Sequence, residues 1–303
     1  MRVVKGASRQ QRKKVRAGIV LGDLPPSTVK RYNVAVMMFF TWFNFQAVPV
    51  TCVYDLDEAI CKFIQNLWEE GDTIGIAGDT ISGMMYHVRF LRKRLNASWK
   101  LVTAWRAKEL PCRAPPLPLS VMLALAGVFA QLNDLGLTCA VLLGYHCFLR
   151  SMELFRLPAR CVIIKGDNGV VYLENTKKGK ADFVTILDPF IARLCLLRLK
   201  QIGPDDLFCG HAPGVIRSMF HAALCALGLQ HFGFKWYSFR RGGATRFFQT
   251  SGSMDRTLER GRWDHSRTAK IYLADGIMAM NDLEFTRALQ ADMALTALSL
   301  RHL

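Results

Sequence analysis

Between Leu117 and Leu149 the chain is almost wholly apolar, and this run constrains the fold more than any other feature. An uninterrupted apolar stretch of about 20 residues would suit a bilayer. Gln131, Asn133 and Asp134 cut this one into two shorter pieces, which predicts a buried helical hairpin over about 120–133 and 136–154. The expected protein is therefore soluble and intracellular, with no membrane partner. Immediately upstream, Arg113-Ala-Pro-Pro-Leu-Pro118 reads as an extended, semi-rigid tether. With 303 residues, two domains are expected at the usual ~100–200 residues each. The division is a basic tail over 1–20, a helical module over 21–112, a linker over 113–118 and a second module over 119–303.

Local patterns fill in this plan. After Pro25-Pro26, with Ser27 or Thr28 as a cap, Tyr32, Val36, Phe39, Phe40 and Phe43 recur at helical spacing. A second helix is expected over 57–70, with Ile60, Phe63, Ile64 and Leu67 inward and Gly71 as its stop. A third starts near Asp79-Thr80, carries Met84, Met85, Val88, Leu91 and Leu95, and presents Arg89, Arg92, Lys93 and Arg94 on its other face. Beyond the hairpin, the runs 161–165, 170–174 and 183–187 are β-prone. Asp167-Asn168-Gly169 marks the first turn and Lys177-Lys178-Gly179-Lys180 the second. After Asp188 only helices and loops are expected. The fold class is mainly α, with a small three-stranded antiparallel sheet near the start of the second module.

Lys and Arg number 40 against 24 Asp and Glu, a formal charge of +16. Such an excess attracts polyanions, nucleic acid first among them. The nine cysteines include no CxxC, and Cys139, Cys147, Cys195 and Cys225 sit in apolar settings. They read as core residues in a reducing compartment rather than as disulfides or a zinc site. No carboxylate cluster of the kind that holds two metals is present, so no cofactor is expected.

Four separated segments carry chemistry. In Gly144-Tyr-His-Cys-Phe-Leu-Arg150-Ser-Met-Glu153, an arginine in apolar surroundings needs a partner, and Glu153 is placed to be one. Lys177 lies on a tight turn. In Trp236-Tyr237-Ser-Phe-Arg240-Arg241-Gly-Gly-Ala-Thr, small residues after two arginines allow close helix packing. The fourth segment, Gly261-Arg262-Trp263-Asp264-His265, leads to Tyr272. Read singly, each has an ordinary explanation: an ion pair, a wet hairpin, a core aromatic.

Together, the order Arg, Lys on a β-turn, aromatic-x-x-Arg, Trp, Tyr resembles the tyrosine recombinase (phage integrase) family over about 28–273. Trp263, nine residues before Tyr272, occupies the second histidine position, as in Cre-like members, and Glu153 follows Arg150 by three as in the family. The resemblance implies the DNA breaking-rejoining fold and a helical core-binding (SAM-like) DNA-binding domain ahead of the catalytic one. It implies a site of Arg150, Lys177, Tyr237, Arg240, Trp263 and Tyr272 supported by Glu153, with no metal. Double-stranded DNA is the implied partner, with Arg89, Arg92, Lys93, Arg94, Lys178, Lys180, Arg241 and Arg262 as DNA contacts. A tetramer on DNA joined through the C-terminal segment 281–300 is implied too. The departure is Tyr237, where the family usually has His; a phenol donates to phosphate but accepts protons poorly near neutrality. The wording of the Arg-Arg-Gly-Gly-Ala-Thr element points to eukaryotic mobile-element relatives and so to the nucleus, with the bacterial cytoplasm or nucleoid as the other setting. The implied activity is site-specific recombination or integration. The alternatives are a type IB topoisomerase, whose usual Ser-Lys-x-x-Tyr is here Thr268-Ala-Lys-Ile-Tyr272, an inactive element-derived DNA-binding protein, and a basic helical protein with a chance motif match.

Overall fold

The computed structural model describes residues 24–46, 49–109, 114–174, 181–266, 269–270, 273 and 283–303. The expected basic tail, the Lys177–Lys180 turn and Tyr272 lie outside the described residues. The chain divides into two compact units, Met1–Cys112 and Arg113–Leu303. It is mainly helical, with one small antiparallel sheet, as its sequence predicts.

In the first unit, α1 (Pro26–Asn44), α2 (Val53–Glu69), α3 (Ile74–His87) and α4 (Asn96–Lys108) surround Phe39, Ile60, Phe63, Ile64, Leu67, Ile81, Val102 and Trp105. Neither Ser27 nor Thr28 caps α1. Pro25 holds that position, because Pro26 already supplies a preset φ at the first helical residue. Phe40, expected inward, is 42% exposed. Gly71 does end α2 at a positive φ of 76°. The buried Asp57 carboxylate accepts from the backbone N–H groups of Ala97 (2.9 Å) and Ser98 (3.0 Å), so α2 supplies the cap of α4. The basic cluster is not on a helix face. α3 stops at His87, Arg89–Leu91 form a single 3-10 turn, and Lys93 turns the chain at φ 62°. Leu91 and Leu95 are buried all the same, which leaves Arg89, Arg92, Lys93 and Arg94 exposed on this turn and its exit.

The second unit is built on the expected hairpin, α5 (Leu119–Gln131) and α6 (Leu135–His146), the latter capped by the Asp134 side chain. Leu117, Val121, Leu125, Phe129, Leu137, Val141 and Leu143 are fully or nearly fully buried. The second helix does not run on to 154. It ends at His146, Phe148 takes a left-handed φ of 49°, and a short α7 (Ser151–Phe155) restarts the helix with Arg150 as its N-cap.

The sheet runs β1 (Val162–Lys165), β2 (Asn168–Leu173), β3 (Asp182–Ile186) in that order, all antiparallel. The first turn is one step earlier than expected. Lys165 pairs with Asn168, and Gly166-Asp167 form a two-residue turn because Gly166 supplies the positive φ of 60°. Gly169 instead lies in β2, where a β-carbon would stand 2.5 Å from Ile164 Cδ1. Then come α8 (Pro189–Leu199), α9 (Pro213–Ala226), α10 (Trp236–Ser251), α11 (Met254–Gly261) and α12 (Arg287–Leu298).

α10 passes very close to the hairpin. A β-carbon at Gly242 would sit 1.9 Å from the Leu117 carbonyl oxygen, and one at Gly243 1.9 Å from that of Tyr145. At the C-terminus, Met293 and Leu300 are buried in the unit's own core, while Leu295 and Leu298 stay exposed. Of the cysteines expected in the core, Cys225 is exposed; the eight described ones are free thiols. No helix among the described residues is long and apolar enough to cross a membrane.

Candidate functional site

The break after α6 creates the site. Arg150 caps α7, and its backbone N–H donates to Glu153 Oε2 (2.8 Å) while its guanidinium donates to Oε1 (2.6 Å). Arg262, at the end of α11, donates from the same nitrogen to Glu153 Oε2 (2.8 Å) and to the Phe148 carbonyl (3.2 Å). Arg240, from α10, is only 1% exposed. It donates to the Phe148 carbonyl and to the Gly261 carbonyl (2.6 Å), and its guanidinium lies 4.8 Å from the centre of the Trp263 ring. The Trp263 indole covers Gly261 so closely that a β-carbon there would stand 2.1 Å from the ring. Residues from α7, α10 and the end of α11 thus share one small volume.

Among the described residues, the Arg150, Arg240 and Arg262 guanidinium groups crowd around Phe148 and the Glu153 carboxylate, and Asp182 also bears on the charge of Arg262. Burial, with the neighbouring charges of Arg150 and Arg262, lowers the Arg240 pKa from the ordinary guanidinium value to about 10. Burial also lowers that of Arg262, only partly offset by Glu153. For Glu153, burial alone would raise the pKa. Arg262, the Arg150 backbone N–H and the Arg150 guanidinium outweigh it and hold the carboxyl below its ordinary value. Burying positive charge is costly, and a depressed arginine pKa in a crowded cleft is a mark of a functional site. Arg150 keeps 28% of its side chain exposed, so the cationic cluster reaches solvent. Chemically, the part of the cluster that can meet an anion from solvent is Arg150, with Arg240 buried behind it.

Arg150, Glu153, Arg240 and Trp263 are thereby brought together, and half-buried Tyr237 is near enough to bear on the charge of Arg240. Lys177, Lys178, Lys180 and Tyr272 lie outside the described residues; next to the last, Leu273 is buried against Phe148 and Ala244. Arg241 and Arg262, expected as DNA contacts, are instead 3% and 8% exposed. Arg241 donates to the Ala114 carbonyl (2.6 Å). Sequence reasoning also missed Arg260, which donates twice to the His146 carbonyl (3.0 and 2.7 Å) and once to that of Thr185 (3.3 Å), tying the end of α6 to β3. Its position ahead of a glycine gave no signal.

The chain matches no protein-family model, and no curated protein is similar to it in sequence. Solved structures are similar in fold. A lambda integrase dimer bound to a COC' core site aligns with a TM-score of 0.60 at 17% identity, covering 88% of this chain and 75% of that one. The lambda integrase fragment 75–356 bound to DNA aligns at 0.56 and 17%, covering 86% and 99%. The XerH site-specific recombinase in its post-cleavage complex with a palindromic difH substrate aligns at 0.53 and 13%, covering 84% and 78%. These neighbours are tyrosine recombinases, and the fold of this chain is of their kind.

Proposed function

We propose that this protein is a site-specific DNA strand transferase working through a covalent 3′-phosphotyrosyl intermediate, with the first unit as DNA-binding module and the second as catalytic module. The observation that carries the reading is the convergence of the Arg150, Arg240 and Arg262 guanidinium groups around Phe148 and Glu153, with a rim open to solvent at Arg150. A phosphodiester resists attack because its charge repels nucleophiles, and negative charge grows on its oxygens in the transition state. Arg150 and Arg240 offer paired donors to the non-bridging oxygens, which lysine cannot match. Donors fixed in advance are worth about 2.7–4 kcal/mol each. Trp263 walls off water and Tyr237 adds a hydrogen bond. Tyr272 attacks phosphorus as the bond to the 5′ oxygen breaks, and Lys177 protonates that leaving oxygen. The phosphotyrosine stores the bond energy until another 5′ hydroxyl attacks, so no ATP is needed. Double-stranded DNA is the substrate, gripped largely through phosphates, and self-association on DNA uses the apolar C-terminal segment.

Incubation with nicked duplex DNA tests this. The expected outcome is an SDS-resistant protein–DNA adduct that Tyr272→Phe abolishes, followed by strand exchange between two duplexes. An adduct with supercoil relaxation but no exchange makes the protein a topoisomerase instead. Binding without any adduct, on every nicked substrate, makes it an inactive DNA-binding protein and overturns the proposal.

A further inference from the structure

Arg262 occupies a backbone conformation that side chains avoid. Its φ of 56° is left-handed, where a β-carbon is strained and glycine relaxed. What its side chain does there is specific. With 5% of that side chain exposed, it places one nitrogen on two acceptors, Glu153 Oε2 and the Phe148 carbonyl. Each acceptor is shared with a different arginine: Glu153 also receives the Arg150 guanidinium, and the Phe148 carbonyl also receives Arg240. The next residue in the chain is Trp263, whose ring faces Arg240. A single guanidinium therefore stands behind both arms of the anion clamp and at the root of its aromatic wall, without itself facing solvent.

We propose that Arg262 is a positioning residue that fixes Arg150 and Arg240 relative to each other, and not a DNA contact. This rests on the strand-transfer reading above, for which Arg150 and Arg240 are the groups that touch the phosphate. The two arms come from elements ninety residues apart in the chain, and their repulsion drives them apart. Through its acceptors Arg262 sets the spacing between them, which a transition state of fixed geometry requires.

Arg262→Gly separates the roles, because glycine relaxes the backbone while removing the side chain. At saturating nicked DNA, the rate of adduct formation is expected to fall on the order of 100-fold, the scale of a small misplacement of reacting groups. DNA affinity and its salt dependence should stay as in the wild type. Arg262→Lys, which keeps the charge but carries its donors on a shorter, more mobile stem, should recover only part of the rate. Combined with Glu153→Gln, the losses should be far from additive. A second readout needs no DNA: in NMR of arginine-labelled protein, the Nε–H signals of Arg150 and Arg240 should broaden in Arg262→Gly. Unchanged adduct rate, or weaker binding with a shallower salt slope, overturns the positioning role, and so do unchanged arginine signals. If the wild-type protein forms no adduct while the arginine signals broaden as expected, the strand-transfer reading fails and the structural coupling stands.

Discussion

Arg240 keeps its charge in the interior at a cost that nothing within the described chain fully offsets. Its depressed pKa means that the folded state binds this proton less tightly than the unfolded chain. The charged form therefore destabilises the fold near neutrality, and the penalty fades only as pH rises past about 10 towards the ordinary guanidinium value. An anion in the site relieves the same penalty at neutral pH. Inorganic phosphate or vanadate should accordingly raise the melting temperature of the wild type and not of Arg240→Lys. The same variant should lower the single-turnover rate of adduct formation by about 100-fold or more, since a point charge replaces a planar fork. Glu153 behaves with the opposite sign. Its carboxyl is held below the ordinary 4.5, so its contribution to stability is complete above that value and is lost as pH falls through the lower, folded-state one. Glu153→Gln should be less stable than wild type at pH 7 and lose less on acidification, measured by urea unfolding across the acid range.

Element by element, the site depends on how closely α10 can approach the hairpin. Gly242 and Gly243 permit backbone-to-backbone contact with Leu117 and Tyr145, and this approach brings Arg240 beneath Phe148. Gly243→Ala should destabilise the second unit by about 3 kcal/mol in urea unfolding, since the obstruction is a backbone oxygen and not a movable side chain. The small residues after Arg240-Arg241 were legible as a close-packing signal. The end of α6 was not. The apolar pattern continues through Cys147, Phe148 and Leu149, with no proline or cap signal to stop the helix at His146. The chain turns there because three arginines from α10, α11 and the residue after α11 claim the carbonyls of His146 and Phe148. Those donors lie about 90–115 residues away, beyond the reach of any local rule.

At the scale of the molecule, a formal charge of +16 predicts phosphate-driven association. Replacing Arg89, Arg92, Lys93 and Arg94 together by alanine should reduce the slope of log affinity against log salt by up to about 3.6 units, at roughly 0.9 per phosphate contact. The adduct rate at saturating DNA should change little, because these residues belong to the other compact unit. Filter binding over a salt series reads both the slope and the loss of affinity. An unchanged slope would remove this turn from the DNA-binding surface, whatever its charge.

Apolar periodicity and turn chemistry sufficed to specify a mainly helical chain, a buried hairpin and a three-stranded sheet. Those signals act between near neighbours in sequence, through side-chain spacing and backbone preference. The tertiary structure alone decided which arginines meet. Arg241 and Arg262 read as surface cations because charge is ordinarily solvated, yet both are buried against acceptors from distant elements. Burial of a charge depends on partners that only the folded chain brings within reach, so no local pattern records it.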